Sequence, residues 1–420
     1  MIKLVNQPFE GQLGNILIDK LSEDKYKSFV IVSAFAKNSG VLRIKDSIKD
    51  FRDNGGKVEA FIGLDAHGTS YEALCNLFSI VDNLYIVHDN NPAVTFHSKI
   101  YCLTDFEDNN WIAVGSNNLT GGGLWTNIES STIIDVNSPT DYSVEFLDSF
   151  MSFVSVIKSD SCEYSMKIND IEDLDKLLEN DLLRHEIQLQ ISAAKSRRLT
   201  ESKENTNTGA SLFGTIGKIQ IPTIKEKPKG KKVKIKERNL EITSTEPIVP
   251  SNNAEKMWFE TREMTGGSRN ILDLSMLGTI VMGDGNGTRY ETSSDSAVLG
   301  SVVFFDVDPT NTSIEKNITI NYRATDYFGC TIKMHLTGDN PNGSWRIQLK
   351  GESATGDKLT TAEDGHWFVH KIIVLEKIRS DYYVMSVLSE NELDNLKSKS
   401  IFVARNGRNS ASKQYGLLDI

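Results

Sequence analysis

Two short apolar runs flank a segment of helical periodicity near the start of the chain. The runs "SFVIVSAFA" (28–36) and "KVEAFIGL" (57–64) are rich in β-branched and aromatic residues, which is typical of buried strands. Between them, apolar residues recur at helical spacing through "VLRIKDSIKDF", and Gly55 and Gly56 end that helix. A strand–helix–strand order restricts the fold to the α/β class.

The alternation continues and then gives way to a run of strands. "SYEALCNLFSI" is predicted as a helix and "NLYIVHD" as a strand. Three further strands are predicted at "VTFHSKIYCL" (94–103), "WIAVGS" and "IESSTIID", and a helix at "YSVEFLDSFMSFVSVIK". Residues 1–165 are therefore predicted to form one α/β domain, a mixed sheet with flanking helices.

A polar, basic segment follows, and then the sequence changes character. Residues 166–254 begin with a polar helical pattern and contain "KEKPKGKKVKIKER" (225–238), with eight Lys and Arg against two Glu. We predict a mobile basic linker there, either a solvated connector or a contact for phosphates. Residues 255–420 hold many short β-like segments, "GSVVFFDV" (300–307) among them, separated by turns such as "GDGNG". This block is predicted to be mostly β, with one helix at "SENELDNLKSK".

Length and composition place limits on the kind of protein. A chain of 420 residues is too long for one ordinary core. Its four cysteines show no CxxC clustering, and no apolar run reaches membrane-spanning length. The first residues lack a basic region followed by an apolar one, so we expect a cytoplasmic protein with reduced thiols and no membrane. The net charge of −11 argues against bulk nucleic-acid binding but permits a local basic groove.

The stretch "TFHSKIYCLTDFEDNNWIAVGSNNLTGGGLWTNIESS" from Thr95 collects the polar groups of a candidate site. On the predicted strand, His97 and Lys99 share a face. Two potentially cationic groups side by side favour an anion between them, and a phosphate diester is the obvious one. Lys99 would hold its oxygens, and His97 could attack phosphorus in line.

The other polar groups of this stretch complete the prediction. Gly115 allows the backbone to approach a ligand, and Ser116 and Asn118 supply neutral donors. Glu129 is the predicted partner that fixes the tautomer of the imidazole. Each element alone has an ordinary structural explanation, whereas the joint pattern is specific.

The joint pattern, HxK followed by GSxN, resembles the active-site motif of the phospholipase D superfamily. The resemblance implies that His97 forms a phosphohistidine, that Lys99, Ser116 and Asn118 bind phosphate, that Glu129 orients the histidine, and that no metal or other cofactor is needed. The fuller family motif has an aspartate where this chain has Thr104, with Asp105 one residue later. We interpret Asp105 as a cap of the hairpin, and the departure favours the nuclease branch over a lipase.

The chain has one such motif, whereas this chemistry uses two histidines, one to attack and one to protonate the leaving group. The second copy of His97 is therefore expected from another subunit, which predicts a twofold homodimer with one shared active site.

The C-terminal block contains "MWFETREMTGGSRNILDLS" (257–275), "NPNGSWRIQLKG" (340–351) and "ARNGRNSASKQYGLLDI" (404–420). Together these stretches resemble the matching region of restriction endonucleases of the NgoFVII and BfiI kind, in which a domain like the plant B3 fold, an open pseudobarrel, grips double-stranded DNA. Trp345 alternates with Ile347 and Leu349 and is predicted to be core, which turns Arg346 outward. "TGGSR" (265–269) is either a loop near phosphate or a plain turn. The candidate DNA-binding residues are Arg262, Arg269, Lys333, Arg346, Lys350 and Arg405.

These resemblances together predict a type II restriction endonuclease that cuts DNA without a metal. A DNA methyltransferase would protect the host. Because the chain lacks the P-loop motif, any ATP use would belong to a helicase-like ATPase partner. Three alternatives stay open: a phospholipase or phosphatidyltransferase, a DNA-binding protein without activity, and a defence nuclease that a partner directs to its target.

Overall fold

The computed structural model divides the chain into two compact units, residues 1–226 and 227–420. It describes residues 1–107, 109–136, 141–192, 219–222, 224, 255–263, 270–275, 279–285, 288–290, 301–335, 344–362, 368–407 and 409–418. The basic linker at 225–238 and the "TGGSR" stretch lie outside the described residues. No helix in the described part is long and apolar enough to cross a bilayer.

The first unit contains one mixed sheet of eight strands. The strand order is β1-β7-β6-β5-β2-β3-β4-β8. β2, β3 and β4 are parallel, and the other pairs are antiparallel. The elements are β1 Ile2–Gln7, α1 Leu13–Leu21, β2 Ser28–Ser33, α2 Asn38–Asp53, β3 Lys57–Gly63, α3 Tyr71–Phe78, β4 Asn83–Val87, β5 Lys99–Thr104, β6 Asn110–Gly115, β7 Glu129–Val136, α4 Asp141–Lys158, β8 Ser165–Ile168 and α5 Ile171–Glu179.

The predicted α/β class with a mixed sheet is confirmed, and the central strand explains why. Every residue of β2 is buried, as expected for a strand covered on both faces. Val30 and Val32 pack on one face with Phe150 and Val154 of α4. This unit extends past residue 165, since β8 pairs with β4 and Glu186 accepts hydrogen bonds from the backbone N of Asn38 (2.7 Å) and from Ser70 Oγ (2.7 Å).

One predicted strand is shorter than expected. The pattern predicted a strand over 94–103, but β5 begins at Lys99, so His97 lies before the strand and not on it. The prediction that His97 and Lys99 share a strand face is therefore wrong. Asp105 does cap the hairpin after β5: its carboxylate accepts from the backbone N of Glu107 (2.8 Å) and Asn109 (3.0 Å).

The second unit is mostly β, as predicted. Its ten strands follow the order β10-β14-β13-β12-β16-β15-β9-β18-β17-β11, in which β12 and β16 are parallel. The elements are β9 Lys256–Glu260, β10 Ile271–Ser275, β11 Thr279–Gly283, β12 Glu315–Tyr322, β13 Thr325–His335, β14 Ser344–Gln348, β15 Lys371–Arg379, β16 Tyr382–Ser389, α6 Leu393–Lys397, β17 Ser400–Arg405 and β18 Gln414–Leu418.

The ten-stranded sheet curls around one core. Leu274 of β10 and Phe402 of β17 belong to the same buried cluster, although they lie eight strands apart in the order. A flat sheet would separate them by about 38 Å at the usual strand spacing. The segment 300–307 was predicted as a strand, but its described part is a helical turn whose Val302 and Phe304 fill that core.

Candidate active site

Five strand ends meet at one edge of the eight-stranded sheet. Ser33, the last residue of β2, pairs with Lys99, the first residue of β5. Gly115 ends β6 and pairs with Ser131 of β7, which begins two residues earlier at Glu129. β3 is parallel to β2 and ends at this edge as well. The sheet register thus gathers residues from sequence positions 33 to 131 in one place.

The loops after β2 and β6 are tied together by hydrogen bonds. The backbone N of Leu119 donates to Ser33 Oγ (2.9 Å) and to the carbonyl of Phe35 (3.1 Å). Asn118 Oδ1 accepts from the backbone N of Phe35 at 3.1 Å. That bond fixes the orientation of the Asn118 amide, because only its oxygen can accept. The Nδ2 group is consequently left to donate elsewhere, as the predicted phosphate-binding role requires.

The candidate nucleophile, His97, is exposed and is held through its backbone and one ring face. Its ring meets the ring of Phe35 edge to face, with centroids 5.9 Å apart and planes at 76°. Its carbonyl oxygen accepts from Lys99 Nζ at 2.7 Å. Within the described part of the chain, neither ring nitrogen of His97 has a hydrogen-bond partner. Both ring nitrogens are thus uncommitted, as a nucleophile needs.

Lys99 supplies the positive charge of the site. The residue is 6% exposed, and burial lowers the pKa of its ammonium group while the negative charge of Glu129 opposes that shift. A cation that is partly stripped of water interacts more strongly with an anion than a fully hydrated one does. A phosphate group bound at this edge would therefore find a strong partner in Lys99.

Glu129 contacts Ser116, and not His97, in this structure. Ser116 Oγ donates to Glu129 Oε2, while Asn127 Nδ2 donates to Oε1 at 3.0 Å. The backbone N of Ser130 donates to Ser116 Oγ at 3.2 Å, which fixes the hydroxyl group from the other side. The predicted tautomer-fixing role of Glu129 stays a prediction, and the contact that the structure provides is an orienting bond to Ser116.

Close backbone packing at Gly115 explains the glycine before Ser116. A Cβ atom there would come 2.2 Å from Ser131 Oγ and 2.3 Å from the carbonyl oxygen of Ser130. A side chain at this position would push β6 away from β7 and move Ser116 with it.

Sequence reasoning missed Phe35 and Asp65, which surround His97. Phe35 contacts its ring, and Asp65 accepts a hydrogen bond from the backbone N of Phe96 at 2.7 Å. Each residue lies two positions after the end of a parallel strand, and that position was the available signal, because ligand sites in α/β sheets form beyond the carboxyl ends of strands.

The candidate DNA-binding residues of the second unit fall into different surroundings. Trp345 and Ile347 are fully buried, so Arg346 points outward as predicted. It pairs across strands with Lys333 on one side and Asp273 on the other, which places the three on one sheet face. Arg346 and Asp273 line a cleft of 540 Å³.

The other candidates that the structure describes differ in their contacts. Arg262 donates from Nε to Glu260 Oε1 at 2.7 Å and also contacts the carbonyl of Ala411. The Nε atom of Arg405 is buried and has no hydrogen-bond partner among the described residues, and Lys350 is exposed. Arg269 lies outside the described residues.

Comparisons with known proteins give partial likenesses to solved structures. No family model matches the sequence, and no curated protein matches it. Nuc from Salmonella typhimurium, a phospholipase D family member, is 16% identical with a TM-score of 0.29, covering 40% of this chain and 99% of that chain. NucT from Helicobacter pylori is 15% identical with a TM-score of 0.29, covering 37% and 96%.

A third likeness is to phosphatidylserine synthase from Haemophilus influenzae. It is 13% identical with a TM-score of 0.32, and the match covers 47% of this chain and 46% of that chain. TM-scores this low describe a partial overlap of backbone, so the functional assignment below rests on the residues of the site.

Proposed function

We propose that this protein is a sequence-specific restriction endonuclease that hydrolyses DNA phosphodiester bonds through a covalent phosphohistidine. The observation that carries the proposal is the gathering of His97, Lys99, Ser116, Asn118 and Glu129 at one edge of a single sheet. The site offers an uncommitted imidazole, a buried cation and the amide donor of Asn118, with the Ser116 hydroxyl held on Glu129, and these groups together fit a phosphate diester.

The proposed reaction has two steps. In the first, a ring nitrogen of His97 attacks phosphorus, and the bond from phosphorus to the leaving oxygen breaks. The leaving oxygen takes a proton from a second histidine, while Lys99 and Asn118 bind the non-bridging oxygens. In the second step that histidine, now neutral, removes a proton from water. The oxygen of the water then displaces His97 from phosphorus, and no metal takes part in either step.

The second histidine is proposed to be His97 of a partner copy in a homodimer. The surface beside the site supports this: Ile128, next to Glu129, is 67% exposed. Gln7 of β1 pairs with Glu129, and Phe9, two residues after Gln7, is 68% exposed. Exposed apolar side chains at a polar site are typical of a surface that a second subunit covers.

The second unit is proposed to read the DNA as a B3-like domain. Arg346 and Lys333 present cations on the outer face of its sheet, and arginine is the usual partner of a guanine edge. Lys333 lies 3.4 Å from Glu315, an exposed pair that costs little to separate. A cognate methyltransferase and a helicase-like ATPase subunit are the proposed partners in the cell, the latter if target choice needs ATP.

The test is cleavage of unmethylated phage or genomic DNA in excess EDTA. We expect discrete fragments from the wild-type protein and none from the His97→Ala variant. His370→Ala is the matched control, since it removes an exposed histidine of the second unit that pairs with Glu390. Cleavage that needs magnesium and survives His97→Ala would refute the mechanism. Hydrolysis of phosphatidylcholine vesicles with no cleavage of DNA would favour the lipid alternative.

Trapping the intermediate adds a second readout. A stalled reaction with ³²P-labelled DNA, denatured in alkali, should leave label on the wild-type chain because phosphohistidine survives alkali. The label should be lost in acid and should not appear with His97→Ala. Label that stays on the protein in acid would indicate a nucleophile other than histidine.

A further inference from the structure

The turn after β3 holds a carboxylate, that of Asp65, that faces the segment carrying His97. The side chain of Asp65 is 9% exposed. Its Oδ2 accepts from the backbone N of Phe96 at 2.7 Å, and its Oδ1 lies 2.8 Å from Nδ1 of His88. One carboxylate therefore connects the end of β4 with the residue before His97.

Close packing keeps the segment against this turn. A Cβ atom at Gly63 would come 2.7 Å from the carbonyl of Ala34 and 3.1 Å from the ring of Phe96. Residues 91–95 are exposed, so the bond from Phe96 to Asp65 is where the chain returns to the body of the unit. His97 follows directly.

The same turn also supports the ring of His97. Gly68 packs under Phe35, since a Cβ atom there would come 2.0 Å from Phe35 Cδ1, and Phe35 meets the His97 ring. Ala66 and His67 have φ of 51° and 49°, a left-handed conformation that costs energy in residues with side chains. Strain of this kind persists where the surroundings fix it, which is common at functional sites.

We propose that Asp65 is a positioning residue for His97, and that His88 holds the Asp65 carboxylate in place for that purpose. The inference rests on the proposed function, because positioning matters only if His97 attacks phosphorus. Asp65 fixes the backbone on the N-terminal side of His97, as Lys99 fixes it on the C-terminal side through the His97 carbonyl. A nucleophile whose backbone is fixed on both sides stays in line with phosphorus and rarely adopts other orientations.

The test compares Asp65→Ala, Asp65→Asn and His88→Ala with wild type. Asp89→Ala is the control, because Asp89 is an acidic residue of the same loop whose carboxylate accepts from the backbone N of Asn91. Asp65→Ala should lower kcat about 100-fold and change KM less than about threefold. Asp65→Asn should recover most of kcat, since its oxygen can accept from Phe96 while its amide group donates to His88. His88→Ala should fall between the two.

Hydrogen exchange provides a readout that does not depend on activity. The peptide that contains Phe96 should exchange faster in Asp65→Ala and His88→Ala, and at the wild-type rate in Asp89→Ala. Unchanged exchange in this peptide, or a kcat of Asp65→Ala within twofold of wild type, would overturn the positioning role. Should Asp65→Ala fail to fold, Asp65→Asn and His88→Ala give the same comparison. Faster exchange in Asp65→Ala, together with no DNA cleavage by the wild type, would support the bond from Asp65 to Phe96 as a restraint on this segment and would refute the proposed nuclease activity.

Discussion

The ammonium group of Lys99 lies 2.7 Å from the carbonyl oxygen of His97, two residues back along the chain. The cation of the site is thus bound to the backbone of the proposed nucleophile. A shift of the His97 backbone therefore also displaces the acceptor of the Lys99 ammonium group.

The pH dependence of catalysis should reveal the lowered pKa of Lys99. Burial lowers the pKa of this lysine, so it loses its proton at a lower pH than an exposed lysine does. Activity that needs the cation should fall as pH rises through that pKa. In Lys99→Arg the fall should move to higher pH, because guanidinium stays protonated. The measurement is kcat/KM against pH with bis(4-nitrophenyl) phosphate. An identical alkaline limb in both proteins would rule out Lys99 as its origin.

Stability should respond to Lys99 in the opposite direction to activity. A lysine whose pKa is lowered by folding binds its proton more weakly in the folded state, so the charged group costs stability below the folded-state pKa, and the cost shrinks as pH rises from there towards the higher pKa of the unfolded state. Lys99→Met should therefore melt at a higher temperature than wild type near neutral pH and lose DNA cleavage. The gain should shrink in alkali. A lower melting temperature at neutral pH would show that the bond to His97 outweighs the burial cost.

Gly115→Ala should weaken the first unit and its activity together. The added Cβ atom meets Ser131 and the backbone of Ser130 at less than 2.5 Å, so β6 and β7 must separate. We expect a loss of about 3 kcal/mol in the free energy of unfolding, measured by urea with tryptophan fluorescence. Gly55→Ala is the comparison: its Cβ atom has open space, and only the φ of +89° opposes it, at about 1–2 kcal/mol. Equal losses would contradict the steric explanation.

Measurements of DNA affinity should distinguish the role of Arg346 from the roles of other cations of the second unit. Arg346→Ala should cost about 1–3 kcal/mol in specific binding and relax discrimination at one base pair. Lys333→Ala should weaken all sequences alike and lower the salt slope by about 1. Lys397→Ala removes a cation of α6 that pairs with the exposed Asp394, and it should leave binding unchanged. Fluorescence anisotropy with cognate and single-mismatch duplexes at several salt concentrations measures all three.

Periodicity was enough to predict six of the eight strands of the first unit, all except β1 and β8, and the outward turn of Arg346. It failed at 94–98, where "VTFHS" alternates like a strand but the backbone N of Phe96 bonds to the Asp65 carboxylate. The backbone N of Phe96 thus bonds to a side chain 31 residues away and not to a neighbouring strand, and the local sequence pattern cannot show this.

The error at 300–307 has a different origin. The apolar residues Val302, Phe304, Phe305 and Val307 are all buried. Their spacing therefore matches neither the alternation of a half-exposed strand nor the periodicity of an amphipathic helix. An apolar run that is buried on all sides fits a strand or a helical turn equally well. The positioning residue Asp65 was missed because "DAHG" contains no motif, and its role depends on where the end of β3 lies in space.

The bond between Phe35 and Asn118 joins residues 83 positions apart, which has a consequence for the timing of translation. Ribosomes add roughly 5–20 residues per second, so about 4–17 s pass between the synthesis of the two partners. His97 is added 21 residues before Asn118, so for about 1–4 s of that interval the nascent chain carries His97 without the amide that completes its surroundings. The surroundings of His97 therefore form only after Asn118 has been added, and the proposed cleavage activity cannot precede that point of translation.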